Sequence, residues 1–344
     1  MIFKDGEEVN EITIDGESVD SVTIDGEEAF WGYKPYITYT EQSFLTQTTP
    51  EGEELWKLNL SDYDLSSPRA MGVAYYGDIY IYGFRGDLAR INKDGEMVKQ
   101  VSFSGTDSGR FMVIDYKNKR LYAGKGIGNP IYKLDYDFNP IWTYTGHGSL
   151  RIWSSTIDNN QNLYIAGSRS NDKGKVYKVS PTGSTVWSRE TDNDEDDNYT
   201  FYRSMAADEN GNLYGGETSD GRLEKINSSG NLLWSIKFDE NGDYDRSLRS
   251  MIIKDGYIYA GTRPRASVVK MDLNGNIIWQ YETWQMTETY AYILALDINE
   301  HGEIIAGDQE GYVIKLDNNG NKIWDKLYEG GKTIFEALFI PKHY

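Results

Sequence analysis

Cysteine is absent from the 344-residue sequence, which excludes disulfides, a lipidated cysteine anchor and thiolate metal ligands. No run of about 20 apolar residues occurs, and the first residues lack the basic and apolar stretches of a secretion signal. We therefore expect neither a transmembrane segment nor a signal peptide. The sequence has three His and no motif of a serine hydrolase, a zinc protease or a phosphate-binding loop. These absences favour a protein that is not an enzyme.

Positive charge is also scarce: 35 Lys and Arg face 54 Asp and Glu, for a net charge of −19. Because the phosphates of a nucleic acid would be repelled, we expect no nucleic acid partner. The acidity also has a simpler interpretation, which is that it keeps an aromatic-rich chain in solution. Aromatic residues make up 14% of the sequence, with 27 Tyr, and Tyr suits half-buried strand positions.

What the sequence does contain is an internal repeat of 42 to 47 residues. Each repeat closes with the phrase Lys-apolar-Asp/Asn-x-x-Gly-x-x-x-Trp or a near variant of it, as in residues 178–187. A repeat of this length indicates one supersecondary unit that is stacked many times. The last position of the phrase falls at Trp56, Val98, Trp142, Trp187, Trp234, Trp279 and Trp324.

The phrase describes two strands joined by a tight turn, because glycine supplies the positive φ that such turns need. A second hairpin lies upstream, for example at residues 208–214. Four strands per roughly 45 residues is the size of one blade of a β-propeller. We therefore predict that the recurring Trp packs one blade against the next.

The two ends of the chain predict how the ring closes. After Trp324 the sequence has room for one strand, at residues 333–340, and before Trp56 for about three, starting near Tyr36. One strand plus three completes a seventh blade and leaves no open sheet edge in the ring. The predicted fold is all-β: a seven-bladed β-propeller with 1+3 strand closure over residues 36–344, plus a short N-terminal β-hairpin arm over residues 1–35.

The closing phrase of the repeat resembles that of quinoprotein-like (PQQ-like) propellers, the group that includes the outer-membrane assembly lipoprotein, and the turn at residues 208–214 resembles NHL-type repeats. The resemblance covers about residues 36–344 and implies a propeller architecture. Quinoprotein dehydrogenases usually have eight blades, a vicinal cysteine pair and a catalytic Asp with a metal. Because this sequence has seven repeats and no Cys, we expect no cofactor and no bound metal.

The first 32 residues carry a different repeat, of period ten, in which Asp-Gly follows apolar residues. Asp-Gly is a strong signal for a two-residue hairpin turn. Because about 30 residues bury too little surface to be stable alone, we predict a small meander that docks on the propeller or on a partner. Val9 and Ile12 do not fit one two-residue alternation of apolar side chains, so a bulge in the meander is an alternative. The predicted turn residues are Asp5 and Gly6, Asp15 and Gly16, and Asp25 and Gly26.

The arm also carries a resemblance, through its repeated phrase Ile-x-Ile-Asp-Gly-Glu. Arms of this form resemble the N-termini of structural proteins from phages of Gram-positive bacteria. The resemblance implies that residues 1–32 bind other virion proteins and that the propeller faces outward. An extra hairpin layer on a cellular propeller is the alternative.

Arginines open the predicted innermost strand of five consecutive blades, mostly in the frame Arg-x-Met. Because innermost strands surround the central channel, these side chains should form a partial ring at one of its mouths. Guanidinium groups bind carboxylates and phosphates, so the ring is either an anion site or a set of local ion pairs. The five residues are Arg69, Arg110, Arg151, Arg203 and Arg249, and the positions in blades six and seven are Ala291 and a residue near Phe335.

Aromatic residues are predicted on the same face, where they would suit stacking on a sugar or a wall polymer. Trp284 is the best single candidate because it lies outside the blade-packing register, although a loop packed over the blade end is the simpler interpretation. The acidic runs 192–198 and 239–245 offer oxygen ligands to calcium, but solvated loops are favoured. The other candidates are His147, Trp153, Tyr199, Phe201, Tyr202 and Tyr290.

The leading hypothesis is a non-enzymatic phage virion protein, at the tail or on the capsid surface. It would dock through residues 1–32 and bind a host surface polymer or another protein with the propeller, without a membrane partner. Two alternatives stay open because a propeller hosts many functions. One is a cellular, cytoplasmic scaffold for protein–protein interaction, and the other is a polysaccharide-degrading propeller enzyme.

Overall fold

The protein was analysed as a computed structural model. In the arm it describes residues 3–4, 7–8, 13–14, 17–18, 21–24 and 27–30. In the remainder it describes residues 36–41, 43–65, 68–74, 77–103, 109–125, 127–168, 174–191, 202–217, 221–237, 247–263, 266–283, 292–328, 333–334 and 336–340. For the arm and for residues 36, 41, 109, 110, 339 and 340, the description is limited to the backbone.

The described arm residues form three antiparallel hairpins, each a two-stranded sheet of its own. The strands stand where the Asp-Gly pattern predicts hairpins, and within the described residues each strand pairs with its hairpin partner. The turn residues Asp5, Gly6, Asp15, Gly16, Asp25 and Gly26 lie outside the described residues. The strands are β1 (Phe3–Lys4), β2 (Glu7–Glu8), β3 (Thr13–Ile14), β4 (Glu17–Ser18), β5 (Ser21–Ile24) and β6 (Glu27–Phe30).

Seven four-stranded antiparallel sheets follow, and each is one blade. The chain first builds three strands of blade 7, which are β7 (Tyr36–Glu41), β8 (Phe44–Thr48) and β9 (Glu54–Asn59), and then a 3-10 turn at Leu60–Tyr63. Blades 1 to 3 are β10 (Pro68–Val73), β11 (Ile79–Gly83), β12 (Asp87–Ile91) and β13 (Met97–Ser102); β14 (Gly109–Asp115), β15 (Arg120–Lys125), β16 (Ile131–Asp135) and β17 (Pro140–Tyr144); and β18 (Arg151–Ile157), β19 (Leu163–Ser168), β20 (Lys175–Val179) and β21 (Thr185–Glu190).

The second half of the chain repeats the arrangement in three more blades and ends inside blade 7. Blades 4 to 6 are β22 (Tyr202–Ala207), β23 (Leu213–Glu217), β24 (Arg222–Ile226) and β25 (Leu232–Lys237); β26 (Ser247–Lys254), β27 (Tyr257–Arg263), β28 (Ser267–Asp272) and β29 (Ile277–Glu282); and β30 (Ile293–Ile298), β31 (Ile304–Asp308), β32 (Tyr312–Leu316) and β33 (Lys322–Leu327). The last strand, β34 (Glu336–Ile340), is the innermost strand of blade 7.

The innermost strands contact one another in a closed cycle, in the order β10, β14, β18, β22, β26, β30, β34 and back to β10. β34 pairs with β7, with Ile340 opposite Tyr36 and Glu336 opposite Thr40. The seven-bladed ring and its 1+3 closure are therefore confirmed. A closed ring of blades is also the reason why the sheets stay stable, because each innermost edge is covered by its neighbours.

The hydrophobic core is divided into layers between neighbouring blades. The middle strands β11, β19, β23 and β31 are buried along their whole length, because both of their faces are covered. Blades 4 and 5 share one such layer, in which Leu223 and Tyr214 pack with Ile258 and Val269. No helix in the described ranges is both long and apolar enough to span a bilayer.

In five blades the repeated Trp fastens its blade to a turn of the next blade. In blade 1 the strand register puts Lys99 at this position and not the predicted Val98, because Lys99 pairs with Arg90 as the Trp residues pair with the Lys of their own blades. Trp187 donates its Nε1 hydrogen to the carbonyl of Ser228 at 3.0 Å, and Lys178 donates to the same carbonyl at 3.2 Å. The indole covers Gly230, whose φ is +91°. Blade-to-blade packing by the Trp residues is therefore confirmed. Equivalent indole bonds of 2.9 to 3.2 Å join Trp56 to Lys93, Trp142 to Pro181, Trp279 to Asn318 and Trp324 to Pro50.

Candidate functional site

A β-bulge recurs near the start of the innermost strand in six blades. In blade 4, Tyr202 and Ser204 pair with the consecutive residues Glu217 and Gly216, so Arg203 is the extra residue of the bulge. Bulges re-aim a side chain and are common beside functional sites. The bulged residues of blades 1 to 6 are Arg69, Arg110, Trp153, Arg203, Arg249 and Leu294.

The bulge corrects two positions that the sequence pattern placed differently. In blade 3 the equivalent residue is Trp153 and not Arg151, because Arg151 already pairs with Ser168 in the regular ladder. In blade 6 it is Leu294, whereas Ala291 lies outside the described residues. The predicted position in blade 7, Phe335, also lies outside them.

The bulged residues surround a cavity of about 400 Å³ on the channel axis. All seven innermost strands contribute to its wall, which is why the cavity is axial. Arg69, Arg203 and Arg249 line it together with Trp153 and Glu336. Three of the five predicted arginines are therefore brought together. Arg151 is not part of this wall, and the side chain of Arg110 lies outside the description.

Aromatic rings support the guanidinium groups around this mouth. The Cζ atoms of Arg203 and Arg151 lie 4.7 and 5.5 Å from the centre of the Trp153 ring. Those of Arg263 and Arg249 lie 4.7 and 5.4 Å from the centre of the Tyr292 ring. A guanidinium group held over a ring keeps its planar set of N–H donors directed sideways, which is the geometry that carboxylates and phosphates require.

Arg69 completes the aromatic support at the blade 1 side of the mouth. Its Cζ lies 5.0 Å from the centre of the ring of Phe84, a side chain that is 42% exposed. Phe84 follows the last residue of β11, which is the strand next to β10. The pattern of an innermost-strand arginine beside an aromatic ring thus recurs in blades 1, 4 and 5.

Arg249 lies among other cations at the mouth. Burial, and then the neighbouring cations Arg203 and Arg263, lower the pKa of Arg249 to about 10. Its Nε–H is buried and has no hydrogen-bond acceptor in the part of the chain that the structure describes. Of the described residues that line the cavity, only Glu336 carries a negative charge. An arrangement of this kind stabilises an anion, because a bound anion would offset the repulsion among the three guanidinium groups.

Two of the predicted stacking residues are corrected by their burial. Tyr202 is fully buried, and its hydroxyl donates to Glu224, so burial and the carboxylates of Glu224 and Glu217 raise its pKa well above the usual value. His147 is 3% exposed, and burial lowers its pKa. Both residues belong to the packing of the blades and not to an exposed face. Trp284, Tyr290, Tyr199 and Phe201 lie outside the described residues.

Below the arginines, the channel changes from charged to apolar. Met112, Met205, Met251 and Leu296 stand two residues beyond the bulge, where the strand period of two brings side chains back to the same face. All four line the cavity and are between 5% and 9% exposed. They form the floor of the cavity, which we call the methionine floor.

The opposite end of the channel carries the opposite charge. A second cavity, of about 850 Å³, lies where the innermost strands end. Its carboxylates are engaged in turns in at least one blade, since Asp208 accepts the backbone N–H groups of Asn210 and Asn212 at 3.0 and 2.9 Å. Among its wall residues are Asp208, Glu209, Asp255, Asp297, Ile252 and Ile298.

The described residues contain no cluster of three or more His, Asp or Glu side chains that would hold a metal ion. The two acidic runs named as calcium candidates, 192–198 and 239–245, lie outside the described residues. The candidate site is therefore defined by guanidinium groups and aromatic rings.

Sequence reasoning missed two members of the site, Arg263 and Tyr292. Both lie outside the innermost strands: Arg263 ends β27, and Tyr292 directly precedes β30. A usable signal was present for the bulge itself, since the bulged residue precedes the hairpin Asp by five positions in blades 2, 3 and 4, at Asp115, Asp158 and Asp208.

The protein is thus a seven-bladed β-propeller with a cationic, aromatic-supported mouth. A family model described as outer membrane protein assembly factor BamB matches residues 172–333, which is slightly less than half of the chain. No curated protein matches the sequence. The family match agrees with the resemblance of the repeat phrase, while no comparison bears on the resemblance of the arm to phage proteins.

Solved structures share the architecture at low identity. BamB from Moraxella catarrhalis is 14% identical with a TM-score of 0.54, and the match covers 86% of each chain. A protein of unknown function from Bacteroides caccae is 12% identical with a TM-score of 0.51, over 90% of this chain and 99% of the other. The dihydro-heme d1 dehydrogenase NirN is 11% identical with a TM-score of 0.59, over 88% and 74%. At these identities the likeness concerns the fold alone.

Proposed function

We propose that this protein is a non-enzymatic binding module whose propeller holds an anionic ligand at the arginine-lined mouth of the channel. The observation that carries the proposal is the group formed by Arg203, Arg249 and Arg263. Their mutual repulsion helps to lower the pKa of Arg249, and the rings of Trp153 and Tyr292 hold them in place. Carboxylate or phosphate groups of a surface polymer or of a partner protein are the ligand chemistry that fits.

The environment of Arg249 supports a binding role more than a structural one. A guanidinium group that served only the fold would be expected to have a carboxylate or carbonyl partner, because an unpaired buried charge is costly. The Nε–H of Arg249 is buried without an acceptor in the described chain. A buried donor without an acceptor lowers stability, and such unfavourable features are typical of residues that bind a ligand.

Two of the four serines in the cavity wall support the absence of catalysis. Ser204 donates to the carbonyl of Leu248 at 3.1 Å, and Ser250 donates to that of Ile293 at 3.4 Å. A nucleophilic serine would instead be hydrogen-bonded to a general base. Both hydroxyls are used to join neighbouring blades.

The test compares variants of the mouth with a matched variant elsewhere. Binding of inorganic tripolyphosphate and of poly-glutamate to the full chain is measured by calorimetry at low ionic strength. Arg203→Ala and Arg249→Ala should each weaken binding about tenfold or more, because a hydrogen bond to a charged group contributes about 1.5–3 kcal/mol. Arg120→Ala removes the same charge at the start of β15, on the opposite face, and should leave binding unchanged. Equal binding by all variants would refute the site.

A stability measurement separates this role from a structural one. Arg249→Met replaces a partly buried cation, whose Nε–H has no acceptor in the described chain, by an apolar side chain of similar length, so the thermal unfolding temperature should stay equal or rise while binding is lost. A clear drop in the unfolding temperature would instead mean that Arg249 serves the fold.

The setting of the site is proposed from the arm. Arms resembling residues 1–32 attach structural proteins to phage particles, so we infer a virion protein, with a cellular scaffold as the second candidate because the family match is to a cellular assembly factor. A pull-down from source lysate tests this, with the full chain and a chain that starts at Gly32. If only the full chain retains phage structural proteins, the arm docks on a particle. If both retain the same cellular proteins, the scaffold is correct.

A further inference from the structure

The cavity at the arginine mouth has two chemically different levels. Its rim carries Arg69, Arg203 and Arg249, while its floor is formed by the thioethers of Met112, Met205 and Met251 and by Leu296. Strand geometry sets the distance between these levels, because two residues along a strand span about 6.6 Å. A ligand bound at the rim therefore has an apolar surface within reach of its next few atoms.

Two of the four serine hydroxyls in the wall are already bonded within the protein. The hydroxyls of Ser204 and Ser250 donate to carbonyls of the following blade, so their hydrogens are not available to a ligand. The innermost strands of blades 4 and 5 are edges of their sheets, and each is paired on one side only, with the second strand of its blade. Apolar contact below the rim is offered by Met112, Met205, Met251 and Leu296.

The methionine floor suits a variable apolar group. Methionine is unbranched and polarizable, so it adapts to irregular partners better than branched side chains do. The cavity of about 400 Å³ also lies within the size range of small-molecule pockets, about 300–1,000 Å³. Three Met at one level of a ring, from blades 2, 4 and 5, is more than the eight Met of the sequence would place there at random.

We propose that the mouth binds a small amphiphilic anion, with its carboxylate or phosphate head between Arg203 and Arg249 and an apolar tail on the methionine floor. This inference rests on the proposed anion site and adds the class of ligand. The tail would point from the arginine mouth toward the acidic end of the channel, because the wall changes from cationic to apolar to acidic along the axis. A head group of negative charge is repelled from the far end, where Asp208, Asp255 and Asp297 lie.

A series of straight-chain carboxylates tests the proposal on the unaltered protein. Binding of acetate, butyrate, hexanoate and octanoate to the full chain is measured by calorimetry. Burial of a CH₂ group contributes about 0.8 kcal/mol, or about a factor of four in affinity. Octanoate should therefore bind on the order of a hundredfold more tightly than butyrate, with a negative heat-capacity change. If octanoate binds no more tightly than butyrate, the proposal is wrong.

Variants of the floor and the rim distinguish the two proposals. Met205→Gln and Met251→Gln should weaken octanoate at least tenfold and leave tripolyphosphate unchanged, whereas Arg249→Ala should weaken both. Met97→Gln, on the outermost strand β13, is the matched control and should change neither. If tripolyphosphate binds and octanoate gains nothing from its tail, the anion site stands without an amphiphile. If none of these anions binds, the proposed function fails as well.

Discussion

The joint between blades 3 and 4 and the joint between blades 1 and 2 solve the same packing problem with different residues. In the first, Trp187 of blade 3 covers Gly230 in a turn of blade 4, and a Cβ at Gly230 would lie 3.0 Å from the indole. In the second, blade 1 has Lys99 in the Trp position, and the turn of blade 2 has Phe138 in the Gly position. Where the Trp is missing, the Gly is missing too.

In this joint the aromatic ring that fills the space comes from the turn of blade 2 and not from the last strand of blade 1. Phe138 is 6% exposed and packs edge-on against Tyr80 of blade 1, with ring centres 5.9 Å apart. Its φ of +64° is costly for a residue with a side chain, so the buried contact must offset that strain. An ion pair completes this joint: Arg90 lies 3.2 Å from Asp137 of blade 2 and is held in place by Asp78 of its own blade at 2.6 Å.

The Trp position of one blade and the Gly position in the turn of the next blade depend on each other. Glycine is required in the turn for its positive φ and also because the indole leaves no room for a Cβ. Once the indole is gone, the second reason disappears, and a large side chain fills the space from the other side. Substitutions at one position should therefore depend on the residue at the other.

Removing the Trp should have the largest effect. Trp187→Ala deletes a large ring and its hydrogen bond to Ser228, and we expect a loss of about 3 kcal/mol in the free energy of unfolding. Lys99→Ala, at the equivalent position of the other joint, should lose less than about 1 kcal/mol because Lys99 is exposed and water screens its bond to the carbonyl of Asp137. Urea unfolding followed by circular dichroism measures both, and similar losses would contradict the comparison.

Filling the turn should have an intermediate effect. We expect Gly230→Ala to cost about 2 kcal/mol, from the positive φ and the contact with the indole. Gly256→Ala is the matched control: its φ is +76°, but nothing lies within 4 Å of the added Cβ, so only the backbone cost of about 1 kcal/mol should remain. In a Trp187→Ala background, Gly230→Ala should fall to the value of the control. Strict additivity would show that the two positions are independent.

Removing the ion pairs should have the smallest effect. Arg90→Ala should cost about 1 kcal/mol, since Arg90 is partly exposed and its pairs are screened by water. Because salt screens such pairs further, the loss should shrink at high ionic strength. The loss caused by Trp187→Ala should not change with salt, so the two joints would separate in a salt series of urea unfolding curves.

Much of the fold could be predicted because its determinants are local. The turn glycines, the Trp positions and the hairpins upstream repeat every 42 to 47 residues, and the single strand after Trp324 predicted the closure. The bulge was harder, since Arg151-Ile-Trp153 imitates the frame Arg-x-Met two residues out of register. Counting from the turn at Asp158 places Trp153, and not Arg151, at the bulge.

The site was predictable only in part because its members meet through the ring. Tyr292 and Arg263 come from segments outside the innermost strands, and no sequence pattern places them over one another. Tyr202 was expected at the surface, yet it stands one residue before the bulge, where Ile152 and Leu248 are buried in their blades. Its hydroxyl is accommodated by Glu224, a partner that propensity cannot predict.

The closure of blade 7 has a mechanical consequence. Tyr36 at the start of β7 lies opposite Ile340 at the end of β34, so both ends of the propeller leave from the same end of one strand pair. In an antiparallel pair the hydrogen bonds lie perpendicular to the strands. A force that pulls the two ends apart would therefore break these hydrogen bonds one after another, starting at Tyr36 and Ile340. The bonds would not share the force, as they would if the strands were pulled along their axes in opposite directions. The strand pair β7–β34, which closes the ring, is therefore also the place where such a force would open it.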